Sequence, residues 1–147
     1  MSKSADALAE LFVAAKAAQA RAYAPYSEFR VGAALRTPEG DVFSGGNVEN
    51  VAYPEGWCAE TSAIAAMAAA GGRKIAEICV VGEGEGLCTP CGGCRQRIRE
   101  FADKRTIVHV AGPDGVRASF RLAALLPESF GPGHLAAAPR PRQPTAR

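Results

Sequence analysis

Four residues have types and spacing suited to chemistry at a metal ion: Cys58, Glu60, Cys91 and Cys94. Zinc prefers thiolates and imidazoles in a tetrahedral arrangement. Cys91 and Cys94 stand at Cys-x-x-Cys spacing, and Cys58 supplies a third sulfur from an earlier part of the chain. Three protein ligands leave the fourth position of the ion open to water, which is typical of a catalytic zinc site.

Glu60 lies two residues after Cys58, in the first turn of a predicted helix. It cannot become a fourth ligand there without distortion, but its carboxylate can reach a water molecule at the open position. Such a carboxylate can accept the proton of the water and return it to a substrate. A ligand-x-Glu triplet followed by Pro-Cys-x-x-Cys is the pattern of the zinc deaminases.

Other interpretations of the cysteines remain open. Cys88 precedes Cys91 by three residues, so with Cys58 it could complete a structural four-cysteine zinc site. The same cysteines could also hold an iron–sulfur cluster. Pro90 before Cys91, and the Cys-Ala-Glu triplet that begins at Cys58, favour the catalytic interpretation. Cys79 lies in an apolar segment and is expected to be a core residue.

Apolar periodicity and turn residues predict the elements that position these side chains. The predicted helices span residues 4–21, 58–70, 91–101 and 121–126, and the predicted strands span 29–35, 41–48, 75–82, 106–110 and 116–120. Two helices then begin at zinc-ligand segments, where their positive dipole ends favour thiolates. Helices alternating with strands predict an α/β fold of three layers, α/β/α, around a mixed sheet of about five strands.

Length and composition predict a single domain with a separate tail. The chain has 147 residues, and residues 136–147 contain three prolines, three arginines and no acidic residue. We therefore expect a catalytic domain at 1–135 and a disordered tail at 136–147. Without the tail arginines the chain has 14 basic and 15 acidic residues, so nothing in its net charge indicates a nucleic-acid partner.

Three further sequence features concern location. No apolar segment approaches the ~20 residues of a membrane span, so no membrane partner is expected. The first residues lack the charged and then apolar organisation of a signal peptide. An odd number of cysteines, five, also argues against a framework of disulfides. These features predict a cytoplasmic protein.

Several segments, taken together, resemble the small homotetrameric cytidine deaminases. The matching segments, in the order of that family, are residues 25–34, 47–50, 58–60, 90–96 and 125–130. The cysteine motif alone indicates only the wider deaminase superfamily, whereas residues 29–34 and 47–50 narrow the resemblance to enzymes of nucleosides. The resemblance implies a cytidine-deaminase-like fold, a Zn²⁺ cofactor, a nucleoside substrate and a homotetramer with its sites at subunit interfaces.

Asn47 and Glu49 have spacing that suits a sugar. At i and i+2 near the end of a strand, both side chains point to one face. An amide beside a carboxylate suits ribose-type hydroxyls, although a merely solvated strand end is the alternative. The resemblance assigns both residues to the sugar hydroxyls.

The resemblance also implies roles for residues that contact the base. It places Phe29 against the pyrimidine and the backbone N–H of Ala59 on the base carbonyl. It brings Phe130 and Tyr53 to the site from neighbouring subunits. Plain core packing remains an alternative for Phe29 and Phe130.

The implied reaction is the hydrolysis of cytidine and deoxycytidine to uridine and deoxyuridine, a step of pyrimidine salvage. Water activated at zinc adds to C4 of cytosine while Glu60 protonates N3. Glu60 then passes a proton to the amino group, which leaves as ammonia.

The chain departs from the family pattern at Thr61, where arginine usually follows Cys-Ala-Glu. Three thiolates give a zinc centre a net charge of −1, which the usual arginine offsets by hydrogen bonds to sulfur. We expect Arg95, together with the two helix N-termini, to compensate for the neutral Thr61. Trp57 is bulkier than the family pattern, and Cys88 is also unusual; the sequence leaves their roles open.

Three competing functions are weaker on sequence grounds. A deaminase of another small molecule is disfavoured by Asn47 and Glu49. A nucleic-acid deaminase needs basic and aromatic residues around its site, and the aromatic content is only 7%. A zinc module without enzymatic activity would make no use of Glu60. The sequence does not rank cytidine against deoxycytidine or modified cytidines.

Overall fold

Helices and strands alternate through most of the computed structural model, which describes residues 3–137. The elements are α1 (Lys3–Ala20), β1 (Gly32–Arg36), β2 (Val42–Gly46), a 3₁₀ turn (Tyr53–Glu55), α2 (Ala59–Ala69), β3 (Ile75–Val81), α3 (Gly92–Phe101), β4 (Ala102–Gly112), β5 (Gly115–Arg121), α4 (Leu122–Leu125) and α5 (Pro132–Ala137). Within this described part of the chain, no helix is long and apolar enough to cross a membrane.

The strands form one mixed sheet in the order β2-β1-β3-β4-β5. β3 and β4 are parallel, whereas the other neighbouring pairs are antiparallel. A parallel pair needs a crossover connection, and α3 supplies it between β3 and β4. The crossover places the start of α3 at the edge of the sheet where β3 ends.

Alternating strand residues face two different helix layers. Leu35 and Val80 pack with Met67 of α2 and Ile98 of α3 in one apolar cluster. On the other face of the sheet, a second cluster joins Ala34 and Cys79 to Leu11 of α1 and its neighbours. The predicted three-layer arrangement around a five-stranded mixed sheet is therefore confirmed, and Cys79 is a core residue as expected.

Small residues set the distance between the layers. A Cβ at Gly32 would overlap the backbone oxygen of Ala15 in α1, and a Cβ at Gly45 would lie 2.9 Å from the backbone nitrogen of Ala63 in α2. Glycine at these two strand positions therefore allows both helices to approach the sheet closely.

The structure differs from the sequence prediction most at the starts of two strands and in one additional helix. β1 begins at Gly32 instead of residue 29, because the Asn47 side chain holds the preceding segment through Phe29 and Val31. β4 begins at Ala102 instead of residue 106, and a register irregularity separates its first pair from the rest. The polar residues 103–105 lack the apolar alternation that would have indicated a strand. α5 was not predicted, although Pro132 occupies a favoured first helical position.

The predicted tail, residues 136–147, falls almost wholly outside the described residues. Its first two positions end α5.

Candidate active site

The three predicted zinc ligands converge from two helix starts. Cys58 is the N-cap residue of α2, and Cys91 is the N-cap residue of α3. Cys94 lies in the first turn of α3 and is fully buried. The three sulfur atoms lie within 4.8 Å of one another. The backbone N–H groups at both helix starts lack intrahelical partners, so they face the sulfurs with partial positive charge.

This sulfur geometry fits a zinc ion. A tetrahedral zinc with bonds of about 2.3 Å to sulfur holds its sulfurs about 3.8 Å apart. The Sγ atoms of Cys58 and Cys91 are 3.8 Å apart. Among the described residues, the cysteines grouped closely enough to share an ion are these two and Cys94. Cys88 is not in that group, so the described residues form a three-sulfur site rather than a four-sulfur one.

The electrostatics of the site favour a thiolate. A hydrogen bond from Cys94 lowers the pKa of Cys58 to about 6, and the positive charge of Arg97 acts in the same direction. The side chain of Glu60 is almost fully buried, at 3% exposure. Burial raises the pKa of Glu60, which favours its protonated form. A buried carboxyl beside metal ligands is suited to holding and moving a proton.

A cavity of about 340 Å³ opens beside the cysteines. Its lining consists of Val31, Asn47, Val48, Glu49, Tyr53, Gly56, Trp57, Cys58, Ala59, Glu60, Cys88, Thr89 and Cys91. The structure thus brings two predicted ligands, the predicted proton carrier and three predicted substrate residues to one cavity, together with Ala59. Its size is that of a small-molecule site.

Asn47 and Glu49 line this cavity and also hold neighbouring backbone. The Asn47 amide accepts a hydrogen bond from the Val31 N–H at 2.9 Å and donates one to the Phe29 carbonyl at 3.0 Å. The Glu49 carboxylate accepts hydrogen bonds from the N–H groups of Tyr26 and Ser27, each at 3.1 Å, and from the Ser27 hydroxyl. The Ser27 hydroxyl lowers the pKa of Glu49, which keeps this carboxyl charged.

The predicted aromatic residues are placed differently from one another. Tyr53 lines the cavity of its own chain and is 75% exposed. Phe29 is partly exposed. Its ring and the side chain of Cys88 both lie close to Gly82. Phe130 does not line the cavity; it stacks on His134 with ring centroids 5.0 Å apart and is 56% exposed.

The described hydrogen bonds of Arg95 do not reach the cysteine sulfurs. Its guanidinium donates to the carbonyls of Pro90 and Leu125, at 2.7 and 2.8 Å, and to the Thr89 hydroxyl at 3.2 Å. These contacts hold the segment that precedes Cys91. The Thr61 hydroxyl oxygen is buried and has no hydrogen-bond partner among the described residues. Compensation of the thiolate charge by Arg95 therefore stays a prediction.

Sequence reasoning missed Arg97 as a cation of this site. Its positive charge lowers the tendency of both Cys58 and Glu60 to hold a proton, although burial raises the pKa of Glu60 overall. Its guanidinium folds back towards Gly93, within 3.1 Å of where a Cβ would lie. Spacing provides a weak signal for it, because Arg97 follows Cys94 by three residues on one helix face.

Known proteins resemble this chain over most of its length. Residues 6–110 match the family model described as the cytidine and deoxycytidylate deaminase zinc-binding region. The chain is 43% identical over 116 residues to the cytidine deaminase of Mycobacterium tuberculosis, covering 78% of this chain and 82% of that one. The cytidine deaminase of Sporosarcina psychrophila is 39% identical over 121 residues, covering 82% and 89%.

A solved structure agrees with these relatives. The crystal structure of cytidine deaminase from Burkholderia pseudomallei has a TM-score of 0.77 and 44% sequence identity with this chain. The alignment covers 88% of this chain and 100% of that one.

The chain belongs to the cytidine and deoxycytidylate deaminase family. The three predicted sulfur ligands and Glu60 of this deaminase lie within the matched residues. The predicted resemblance, the fold class and the zinc cofactor are therefore confirmed. The homotetramer and the roles of the individual substrate residues in this deaminase stay predictions.

Proposed function

We propose that the protein is a zinc-dependent enzyme that hydrolyses cytidine and deoxycytidine to uridine and deoxyuridine, with release of ammonia. The observation that carries this proposal is the single cavity lined by Cys58, Cys91, Glu60, Asn47 and Glu49. This shared lining supports a metal site, a proton carrier and a contact to the sugar hydroxyls within the reach of one nucleoside. The membership of this chain in the cytidine and deoxycytidylate deaminase family supports the reaction type.

Cys58, Cys91 and Cys94 hold the zinc ion. When bound there, zinc supplies an activated water molecule as the nucleophile. Glu60 takes a proton from the water and delivers it to N3 of the cytosine ring as the water oxygen bonds to C4. Glu60 then takes the remaining proton from the hydroxyl added at C4 and passes it to the amino group; the C4 carbonyl forms, the C4–N bond breaks, and ammonia leaves. Burial suits Glu60 to this role, because it raises the pKa of the carboxyl and so favours its holding a proton between the two steps.

The residues around the cavity orient the nucleoside. Ala59 is the first residue of α2, where a backbone N–H has no intrahelical partner and can donate to the base carbonyl. Glu49 remains charged and accepts hydrogen bonds from sugar hydroxyls, with Asn47 beside it. Phe29 lies against the pyrimidine. Held by these groups, the base is in position for the addition at C4.

The active form is a homotetramer in which neighbouring subunits complete each site. Two large exposed apolar side chains, those of Tyr53 and Trp57, line the cavity, and exposed apolar surface is typical of an interface. Other large exposed apolar residues are Val51, Leu87 and Phe130. In this arrangement Phe130 and Tyr53 contact substrate in the site of an adjacent subunit.

Three further points belong to the same proposal. The catalytic domain spans residues 1–135. The enzyme acts in the cytoplasm, because thiolate ligands require a compartment that keeps cysteines reduced. Arg95 and the helix N-termini offset the thiolate charge where Thr61 replaces the usual arginine, with Arg95 acting through the segment that bears Cys91.

The test is an absorbance assay for conversion of the cytosine ring to uracil, run with cytidine, deoxycytidine and free cytosine. Turnover of both nucleosides, with free cytosine much poorer, is the expected result because only the nucleosides engage Asn47 and Glu49. If neither cytidine nor deoxycytidine is converted at saturating zinc, the proposal is wrong.

A further inference from the structure

The side chain of Ser27 links Glu49 to Phe29. The Ser27 hydroxyl donates a hydrogen bond to the Glu49 carboxylate and accepts one from the Phe29 N–H at 3.0 Å. It is therefore a direct bridge between a residue proposed to contact the sugar and a residue proposed to contact the base.

The segment around Ser27 is held from both sides. The Phe29 N–H is bonded to Ser27, and the Phe29 carbonyl is bonded to Asn47. Between Ser27 and Phe29 in the chain, Glu28 has a φ of 56°, a left-handed conformation that is costly for a residue other than glycine. A conformation of this kind persists only where its surroundings fix it, and the hydrogen bonds of Ser27 and Asn47 do so here.

Glu49 has capacity left for a sugar hydroxyl. A carboxylate offers about four acceptor positions. Three donors already occupy this carboxylate: the N–H groups of Tyr26 and Ser27 and the Ser27 hydroxyl. A further hydroxyl at Glu49 would share the carboxylate with Ser27, so any movement of Glu49 on binding is passed to the Phe29 backbone.

We propose that Ser27 is a positioning residue that couples recognition of the sugar at Glu49 to the placement of Phe29 against the base. This inference rests on the proposed function. Ser27 does not line the cavity beside the cysteines; it lines a second cavity of about 360 Å³, which shares Glu49 and Tyr53 with the first. It acts through Glu49 and Phe29, and its hydroxyl, rather than its size, is the group that matters.

The test compares Ser27→Ala with Ser27→Thr, which keeps a hydroxyl, and with Ser44→Ala, an exposed serine of β2, as the matched control. We expect the KM for cytidine to rise about tenfold in Ser27→Ala, because a hydrogen bond to a charged group is lost. We expect kcat to change much less, and Ser27→Thr and Ser44→Ala to stay near the unaltered protein.

The coupling is tested by repeating Ser27→Ala in a Glu49→Gln background. If Ser27 acts through Glu49, the second change adds little to KM there. A KM unchanged in Ser27→Ala, equal damage in Ser27→Thr, or a full additional rise in the Glu49→Gln background would overturn the inference while leaving the deaminase activity intact. Failure of the unaltered protein to convert cytidine would instead refute the proposed function, and this inference with it.

Discussion

Cys88 shares the cavity with two zinc ligands but lies outside the three-sulfur group. Burial raises the pKa of its thiol, so it is protonated at neutral pH and is a poor ligand. We expect Cys88→Ser to keep its zinc and to retain turnover within about threefold. Cys94→Ser is the matched variant and should lose stoichiometric zinc. Zinc analysis by mass spectrometry checks both; loss of zinc from Cys88→Ser would show that the site needs four sulfurs.

Arg97 and Arg95 offer contrasting routes to charge compensation. The charge of Arg97 favours the thiolate of Cys58, and thiolates must form before zinc binds. We expect Arg97→Gln to weaken zinc binding at neutral pH by up to about tenfold. Competition with a chelator measures this, with Arg121→Gln on the exposed side of β5 as the control. Equal zinc affinities in the two variants would show that the charge of Arg97 does not contribute to zinc binding.

Arg95 contacts the site differently from Arg97, because its guanidinium donates hydrogen bonds to the carbonyls of Pro90 and Leu125. A residue held in this way fixes the position of the loop before Cys91. For single residues, then, the sequence predicted the three-sulfur group well, because Cys58 and the Cys91/Cys94 pair each lie in a short motif at the start of a helix. The sequence did not predict the hydrogen-bond partners of Arg95 or the effect of the Arg97 charge on Cys58, because the direction of a long side chain is fixed only by packing in the folded structure.

At the scale of elements, Gly32 sets the contact between β1 and α1. We expect Gly32→Ala to lower the free energy of unfolding by about 1–3 kcal/mol, because the added methyl group collides with the backbone of Ala15. Gly86→Ala is the matched control, since a Cβ there meets no atom within 4 Å. Chemical denaturation of the two variants compares them, and equal stability would show that the α1 layer adjusts freely.

The element predictions succeeded where one physical signal dominated. The helices that follow Cys58 and Cys91 have clear starts, and β3 is a continuous apolar segment, so their bounds were predicted within a residue or two. The start of β1 was predicted too early because Asn47 pairs with the Phe29 and Val31 backbone through its side chain. No periodicity of the segment itself reveals a partner that is supplied by another part of the chain.

At the scale of the whole molecule, the assembly of subunits can be tested by mixing two inactive chains. Glu60→Gln lacks the proton carrier, and Phe130→Ala lacks the aromatic wall. If each site combines Glu60 of one subunit with Phe130 of a neighbour, about a quarter of the sites in a co-expressed equal mixture contain both residues intact. The expected result is turnover in the mixture well above that of either variant alone.

The control is the doubly altered chain co-expressed with Phe130→Ala, in which no combination of subunits supplies an intact Phe130. If the mixture of the two single variants is no more active than this control, then Glu60 and Phe130 do not serve one site from different subunits. Light scattering on the unaltered protein gives the number of subunits independently.

The proposed mechanism requires a zinc ion held by three sulfurs to work with the buried carboxyl of Glu60. The most direct measurement determines zinc content and cytidine turnover together, in the unaltered protein and in Glu60→Gln. We predict about one zinc per chain in both proteins and a loss of kcat of about 10²–10⁴-fold in Glu60→Gln. Undiminished turnover in Glu60→Gln, or turnover by the unaltered protein after its zinc has been removed, would contradict the account.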